Sequence, residues 1–470
     1  MHDLARASLL GSIVAAALFG AAACWKVAPD SANDSLLEAS AESSLIESIL
    51  VTPSDDAEAD DGGPSDGMSA DAEGQALLVI APAPSPLLAS GVGFGCQIDS
   101  AGAVSCWGDN GFGQAGSTPS SASIPYPQQV TGVPDAVALA LGDSHACAVT
   151  TGHAVYCWGL NDAYQLGHPA ATGGDHICVG TAPGQTVPCS SIPSRVGNLS
   201  DAVAIAAAGA WTCILATDGT VQCWGGVQGS LTDAGVACGL GTQASGGTCY
   251  PAPYTVAGLS GATRLAVGFD HACVVTAAGA ESDAGNQVAC WGTNDEGQVS
   301  PSACPQSSCS TPIARGDLPT TTSLATGDHF SCALAADGTV RCFGDNTYGQ
   351  LGHTSGTEGD QGTAADGGFG VYNPAATQAS AAAVVSLAGG GDEATCALLE
   401  SGAAECWGNV ATGGRATPSV VSGLPPLNAL GTFDGAYVCG LAAADGSVWC
   451  WTLGSTRAPV SIGAEVDGGG

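Results

Sequence analysis

The chain has 470 residues, among them 70 glycines, 25 prolines and 21 cysteines, and only 11% are charged. So little Lys, Glu and Met excludes layers of helices, and turn residues between short Val/Ala/Leu/Thr runs point to many short strands. A formal charge of −35, with Lys26 the one lysine, excludes nucleic acid as a partner, because such binding needs a positive surface. The acidity reads as a solubility device.

Residues 1–23 read as an export signal. Arg6 supplies positive charge, Leu9 to Phe19 is apolar but too short for a stable membrane span, and Ala21-Ala22-Ala23 precedes Cys24. Two cleavages fit. One is ordinary signal cleavage after Ala23. The other is lipoprotein processing that leaves Cys24 lipidated, although Ala21 stands where a lipobox usually has Leu. The second is preferred because Cys24 is the cysteine left over when the others are paired. It implies an outer-membrane or cell-surface lipoprotein held by the lipid at Cys24, with a soluble secreted or periplasmic protein as the alternative. Residues 24–75 form an acidic Gly/Ser/Asp-rich tether that cannot bury a core.

Residues 76–470 are organised by a repeated hairpin. In the clearest copy Cys332 and Cys342 lie ten residues apart, which centres a three-residue loop on Asp337. A type I turn followed by a left-handed glycine, Gly338, is the usual form of such a loop. Pairing outward sets Leu334 against Val340 and Cys332 against Cys342, with all four on one face and the cysteines within disulfide reach. Seven such pairs occur: Cys96 with Cys106, Cys147 with Cys157, Cys213 with Cys223, Cys273 with Cys290, Cys332 with Cys342, Cys396 with Cys406 and Cys439 with Cys450. Three short-range pairs fall in the loops after hairpins two to four: Cys178 with Cys189, Cys238 with Cys249 and Cys304 with Cys309. Even pairing at regular spacing means disulfides and an oxidising, extracytoplasmic compartment.

A Val/Ala/Leu run precedes each hairpin and a Pro-rich strand follows it. This gives four strands per repeat, A to D, and an all-β fold, a disulfide-stapled seven-bladed β-propeller of four-stranded antiparallel blades. Ring closure is open between Ala458–Ile462 as the outer strand of the last blade and Leu77–Ile80 as a clasp between the termini.

The segments Gly142-Asp143-Ser144-His145-Ala146-Cys147-Ala148-Val149, Val155-Tyr156-Cys157-Trp158-Gly159-Leu160-Asn161 and Gln165-Leu166-Gly167 resemble the repeat of the regulator of chromosome condensation family, in the cysteine-bearing version of secreted bacterial proteins. Gly349-Gln350-Leu351-Gly352 and Gly113-Gln114-Ala115-Gly116 match as well. The third, sixth and seventh repeats lack the Gln-Leu-Gly element, and Phe343 replaces the Trp of the fifth. The resemblance implies a seven-bladed propeller. The family's nuclear members act on chromatin and as nucleotide exchange factors for a small GTPase, roles that do not transfer to an acidic, exported, disulfide-bonded protein. A secreted bacterial propeller that inhibits a β-lactamase implies that the scaffold can serve as a protein-binding disc; fold alone does not fix function.

Trp107, Trp158, Trp224, Trp291 and Trp407, each one residue past a hairpin cysteine, read as packing between blades. His145, His271 and His329 precede B strands. The equivalent positions Phe94, Trp211, Ala394 and Tyr437 break any ring of ligands, so no metal site is expected. Asp109-Asn110-Gly111 and Asp345-Asn346 read as turns. No catalytic motif and no cofactor-binding motif appears. Because A–B and C–D loops leave an antiparallel meander on the same side, the stapled loops of blades 2 to 4 gather beside His145, Trp211, His271 and His329, which define a candidate binding face. The expected function is an exported, monomeric cell-envelope scaffold binding an unidentified protein or glycan through that face. An envelope lyase or hydrolase with its site at the central channel is one alternative, and a structural surface component is another.

Overall fold

A computed structural model describes residues 87–462, apart from 171, 173, 181–183, 228–234, 239–246, 278–285, 301–307, 358–359, 362–371, 381–382, 392–393, 410–414, 434 and 456. All belong to one compact unit, Ile80–Gly470. The export signal, Cys24, the tether, Leu77–Ile80, Cys304 and most of the Ala278–Gln287 insertion lie outside the described residues.

The hairpin forms in the register that its spacing dictates. In the fifth copy Phe330–Ala335 runs antiparallel to Val340–Asp345, with Cys332 opposite Cys342 and Leu334 opposite Val340. Gly338 has a φ of 81°. The Asp337 carboxylate locks the turn by accepting from Thr339 N at 3.0 Å and Thr339 Oγ1 at 2.7 Å. The four side chains expected on one face are buried in one cluster.

All seven hairpin disulfides are formed as the spacing predicts. Cys96 is bonded to Cys106, Cys147 to Cys157, Cys213 to Cys223, Cys273 to Cys290, Cys332 to Cys342, Cys396 to Cys406 and Cys439 to Cys450, with Cα–Cα distances of 4.0–4.1 Å. In each hairpin the two cysteines face each other directly across strands B and C. The loop pairs Cys178 with Cys189 and Cys238 with Cys249 are formed too. Cys309 is also disulfide-bonded.

Each hairpin supplies strands B and C of an antiparallel sheet, and there are seven sheets. In blade 2 the strands are A Ala136–Leu141, B His145–Thr150, C Val155–Leu160 and D Thr186–Arg195. The A-strand residue opposite the first hairpin cysteine is small in six blades: Ala89, Ala140, Ala206, Ala266, Ala325 and Ala388. It leaves room for the disulfide. The residue before it is aliphatic, and it packs into the sheet of the preceding blade. Leu139, for example, lies in one buried cluster with Phe94 and Cys96, and Leu387 packs against the cluster that holds Cys332 and Cys342. Strand A of each blade touches the A region of the next all the way round. The architecture is a seven-bladed propeller.

Three sheets have five strands where four were expected. In blades 2 and 3 the stapled loop itself adds a short outer strand, His176–Val179 or Val236–Ala237, against strand D. In blade 1 the addition is Thr432–Phe433, from the A–B connection of blade 7, which pairs in parallel with Ala89 and Ser90 and forms the seam of the ring. The outer strand of blade 7 is Val460–Ile462, paired with Val448–Cys450.

The glycine two residues past the second hairpin cysteine is a steric requirement. Gly108, Gly159, Gly225, Gly292 and Gly344 have φ between 94° and 111°. A Cβ on any of them would fall 2.3–2.5 Å from a carbonyl oxygen of the A–B turn. There the C–D register shifts by a bulge.

Candidate binding face

The A–B and C–D turns do share one face, and backbone bonds join them. Asp109 N donates to Gly93 O, Leu160 N to Ser144 O, Thr293 N to Asp270 O and Asp345 N to His329 O, all at 2.9–3.0 Å. Each well-formed C–D turn is built on an Asn and a Gln. The Asn carbonyl oxygen accepts the amide five residues on: Asn110 from Ala115, Asn161 from Leu166, Asn294 from Val299 and Asn346 from Leu351, at 2.9–3.1 Å. The Gln carbonyl oxygen accepts the amide two residues back, of Phe112, Ala163, Glu296 or Tyr348. These are local turn bonds of the Asx type.

That Gln has a second task. Its backbone oxygen accepts the indole N–H of the next blade's tryptophan. Trp158 donates to Gln114 at 2.8 Å, Trp224 to Gln165 at 3.0 Å and Trp407 to Gln350 at 2.9 Å. Where the preceding blade lacks the Gln-Leu-Gly element, that acceptor is missing. Trp291, Trp451 and Trp107 follow blades 3, 6 and 7, and their buried N–H groups have no partner among the described residues. Blade 5 has Phe343, which needs no acceptor. Over its ring, 3.8 Å from the centroid, lies the guanidinium of Arg315 from strand D of blade 4, paired with Asp317 at 2.7 Å. Packing between blades, expected for these tryptophans, is therefore what they do.

The staples lie on an arc of this face. Cys178 and Cys189 are buried with Val187 and Leu160 beneath Phe112 from the C–D turn of blade 1. Cys238 and Cys249 are buried with Ala210 beneath Ala163 and Tyr164 from the turn of blade 2. Each staple is thus held both by its own strand D and by the turn of the blade before. Ile177 and Val179 flank buried Cys178 on the outer strand and are 68% and 79% exposed; Ile192 of the adjacent strand is 63% exposed.

Of the four residues placed by sequence on the binding face, three point into the body of the protein. His145 is fully buried, with Nε2 2.8 Å from Thr212 Oγ1 of blade 3, and burial drives its pKa down to about 3, so the ring is neutral. His271 is fully buried, with Nε2 2.8 Å from Ser331 Oγ of blade 5. Trp211 is buried and donates to Gly268 O of blade 4 at 2.9 Å. All three tie one blade to the next. Only His329 reaches the surface, with a quarter of its side chain exposed.

Ser331, His271 and Asp270, with His271 Nδ1 3.5 Å from Asp270 Oδ1, reproduce the order of a hydroxyl–imidazole–carboxylate relay. The serine is fully buried and lies 3.5 Å from Cys273 Sγ, against the blade's disulfide, so no substrate carbonyl reaches it. His145 and Thr212 repeat the contact without a carboxylate. The arrangement is a clamp.

Two profiles described as regulator of chromosome condensation (RCC1) repeats match the sequence, one at residues 136–165 and 322–350, the other at 101–149 and 153–215. The chain carries RCC1 repeats. Among solved structures it is similar to Prp20p of Saccharomyces cerevisiae, a protein with binding properties toward Gsp1p and histones. That match has 18% identity and a TM-score of 0.60, covering 79% of this chain and 88% of that one. It is also similar to human WBSCR16, with 17% identity and a TM-score of 0.56, covering 74% and 84%. At such identities the likeness shows the fold.

In this RCC1-like propeller the central channel is apolar. Its lining, from Ala140, Leu141 and Ile205 round to Leu387 and Phe433, encloses about 110 Å³ and includes one carboxylate, Asp328. The convergent acids that an enzyme site in the channel would require are not among the described lining residues. Nor does any group of three or more His, Cys, Asp and Glu among the described residues have the disposition to hold a metal ion.

Sequence reading missed two features. One is a pair of matched loop knots. Asn161, His168 and Asp175 in blade 2, and Asn346, His353 and Asp360 in blade 5, recur at intervals of seven. Each Asn donates to its Asp at 2.8 Å, and each His lies 3.6–3.7 Å from it. The interval was visible in the sequence. The other is Glu296. It takes the turn position that carries Phe112 and Ala163 over the staples, but at the blade 4–5 joint it meets His329, with Oε2 3.5 Å from Nδ1. Asp270 Oδ2 is 3.6 Å from the same nitrogen.

Proposed function

We propose that this RCC1-like propeller is an exported binding scaffold that engages a protein partner through the arc formed by the stapled C–D loops of blades 2 and 3. The observation that carries this reading is the outer strand His176–Val179. It leaves Ile177 and Val179 largely exposed while Cys178 pins it to strand D. Exposed aliphatic side chains on a strand edge are normally suppressed, and where they persist they mark an interaction site. Fixing the strand in advance lowers the ordering cost of association. The aliphatic character favours a protein over a glycan. Pairing of the cysteines supports an oxidising compartment, and the segment before Cys24 supports lipid anchoring at that residue; mass spectrometry of the mature N-terminus tests it.

The central test is affinity capture from envelope extracts with the oxidised protein and with the Ile177→Asp/Val179→Asp variant, alongside thermal unfolding of both. Loss of the captured partner at unchanged Tm is expected. Equal capture by both proteins overturns the proposal.

A further inference from the structure

The joint between blades 4 and 5 holds an excess of buried negative charge. Asp270, at the end of the A–B turn of blade 4, is 3% exposed, as is Glu296 from the C–D turn of the same blade. Asp345, which opens the C–D turn of blade 5, is 4% exposed. His329 lies between them, 3.6 Å from Asp270 Oδ2 and 3.5 Å from Glu296 Oε2. It can contribute at most one positive charge to three carboxylates. Glu296 is held by Gln298 Nε2 at 3.4 Å, and Asp345 accepts from Thr347 N and Oγ1 and from Gln350 Nε2 at 2.6–3.0 Å.

Asp270 is different. Its side chain receives no hydrogen bond among the described residues, its Oδ1 is buried without a donor, and its ion-pair neighbours are His271 and His329 alone. A buried carboxylate without donors is costly and calls for a cation. The chain has little to offer, with eight Lys and Arg in all against 43 Asp and Glu. The notch is reachable from outside. His329 is a quarter exposed, half-buried Phe269 meets its ring edge-on with centroids 6.4 Å apart, and Phe269 and Asp328 line the mouth of the central channel.

We propose that this notch binds a cationic side chain, an arginine or lysine, of a partner protein. Asp270 and Glu296 accept its N–H groups, and Phe269 and His329 provide the aromatic wall on which a guanidinium stacks. Charge complementarity selects the occupant: a basic side chain brought by a partner to an acidic protein that lacks its own. The site is separate from the stapled arc and does not rest on the reading above.

The test uses the full oxidised chain and two fluorescent peptides, one with four arginines spaced by glycines and one with citrulline, the neutral isostere, in their place. Binding is followed by anisotropy at physiological salt. The arginine peptide is expected to bind and the citrulline peptide not. Asp270→Asn and Glu296→Gln, which keep side-chain shape, are each expected to weaken binding tenfold or more. Asp337→Asn and Asp445→Asn, on exposed turns at the opposite face, and Ile177→Asp are expected to leave it unchanged. Equal weakening by all the carboxylate variants, or none by Asp270→Asn, overturns the proposal in favour of diffuse acidity. So does stabilisation of the parent, but not of Asp270→Asn, by Ca²⁺ or Zn²⁺ without arginine-peptide binding, which would assign the notch to an inorganic cation.

Discussion

Two kinds of joint account for six of the seven blade contacts, and the 4–5 joint is a third. At the 1–2, 2–3 and 5–6 joints, the Gln that shapes one blade's C–D turn also accepts the next blade's indole N–H. At the 3–4, 6–7 and 7–1 joints the Gln-Leu-Gly element is missing from the first blade, and the buried indole N–H groups of Trp291, Trp451 and Trp107 have no partner among the described residues. The 4–5 joint solves the same problem differently, with a phenyl ring and a stacked arginine. The difference teaches that the repeat motif of one blade acts largely in the next. A blade can lose the motif and keep its own strands; what is lost is the acceptor that the motif offers its neighbour's indole.

The largest expected effect breaks the exception. Arg315→Ala removes the guanidinium from Phe343 and leaves Asp317 without its cation. Loss of about 3 kcal/mol is expected in urea unfolding of the oxidised protein. Phe343→Trp restores the consensus residue but brings an N–H into a site already occupied by Arg315, and no gain in stability is expected.

Next comes acid sensitivity, which should distinguish the 2–3 joint from the 3–4 joint. His145 has a folded pKa of about 3, below its ordinary 6.5. As the pH falls under 6.5 the unfolded chain takes up a proton that the folded one refuses. The resulting loss of stability grows down to about pH 3 and is roughly 2 kcal/mol by pH 5. His145→Gln should remove that component, seen as a shallower fall of Tm between pH 7 and pH 5. Trp211, the equivalent residue of the 3–4 joint, cannot titrate and contributes no such slope. A parent and variant with parallel pH profiles would contradict the buried, neutral histidine.

The smallest effect tests the comparison most directly. Trp224→Phe deletes a made hydrogen bond to Gln165 O, whereas Trp291→Phe deletes a donor that has no partner among the described residues. Trp224→Phe should cost about 1 kcal/mol more than Trp291→Phe. Equal losses would mean that the indole bonds contribute nothing to the joints.

What could be read in advance follows from range. Hairpin register, the Asp-Gly turn and the pairing of Cys332 with Cys342 are set within ten residues, where alternation and turn chemistry decide. The same holds for Cys96 with Cys106, Cys213 with Cys223 and Cys396 with Cys406, each separated by ten. The blade count followed from repetition. The partners of His145 and Trp158 lie 67 and 44 residues away, and no local pattern fixes them. Sequence put His145, Trp211 and His271 near the correct turns but could not orient their side chains, because a residue at the start of strand B can face the next blade or the solvent. His329, one residue earlier, does face out. Glu296 escaped notice because the turn position that it fills holds an aromatic in blade 1 and an alanine in blade 2, so its role is set by whichever blade it meets.

The disulfides have a consequence for how the chain is made. Nearly every cysteine from Cys96 onward has its native partner as its nearest thiol in sequence, ten or eleven residues off in most pairs. Short loops close fastest and at least entropic cost, so random oxidation of the emerging chain already favours the native set. Blade 4 is the exception. Its enlarged hairpin separates Cys273 from Cys290 by 17 residues, and Cys304 lies nearer to Cys290 in sequence than Cys273 does. Mispairing, and any need for a disulfide isomerase, should concentrate at Cys290.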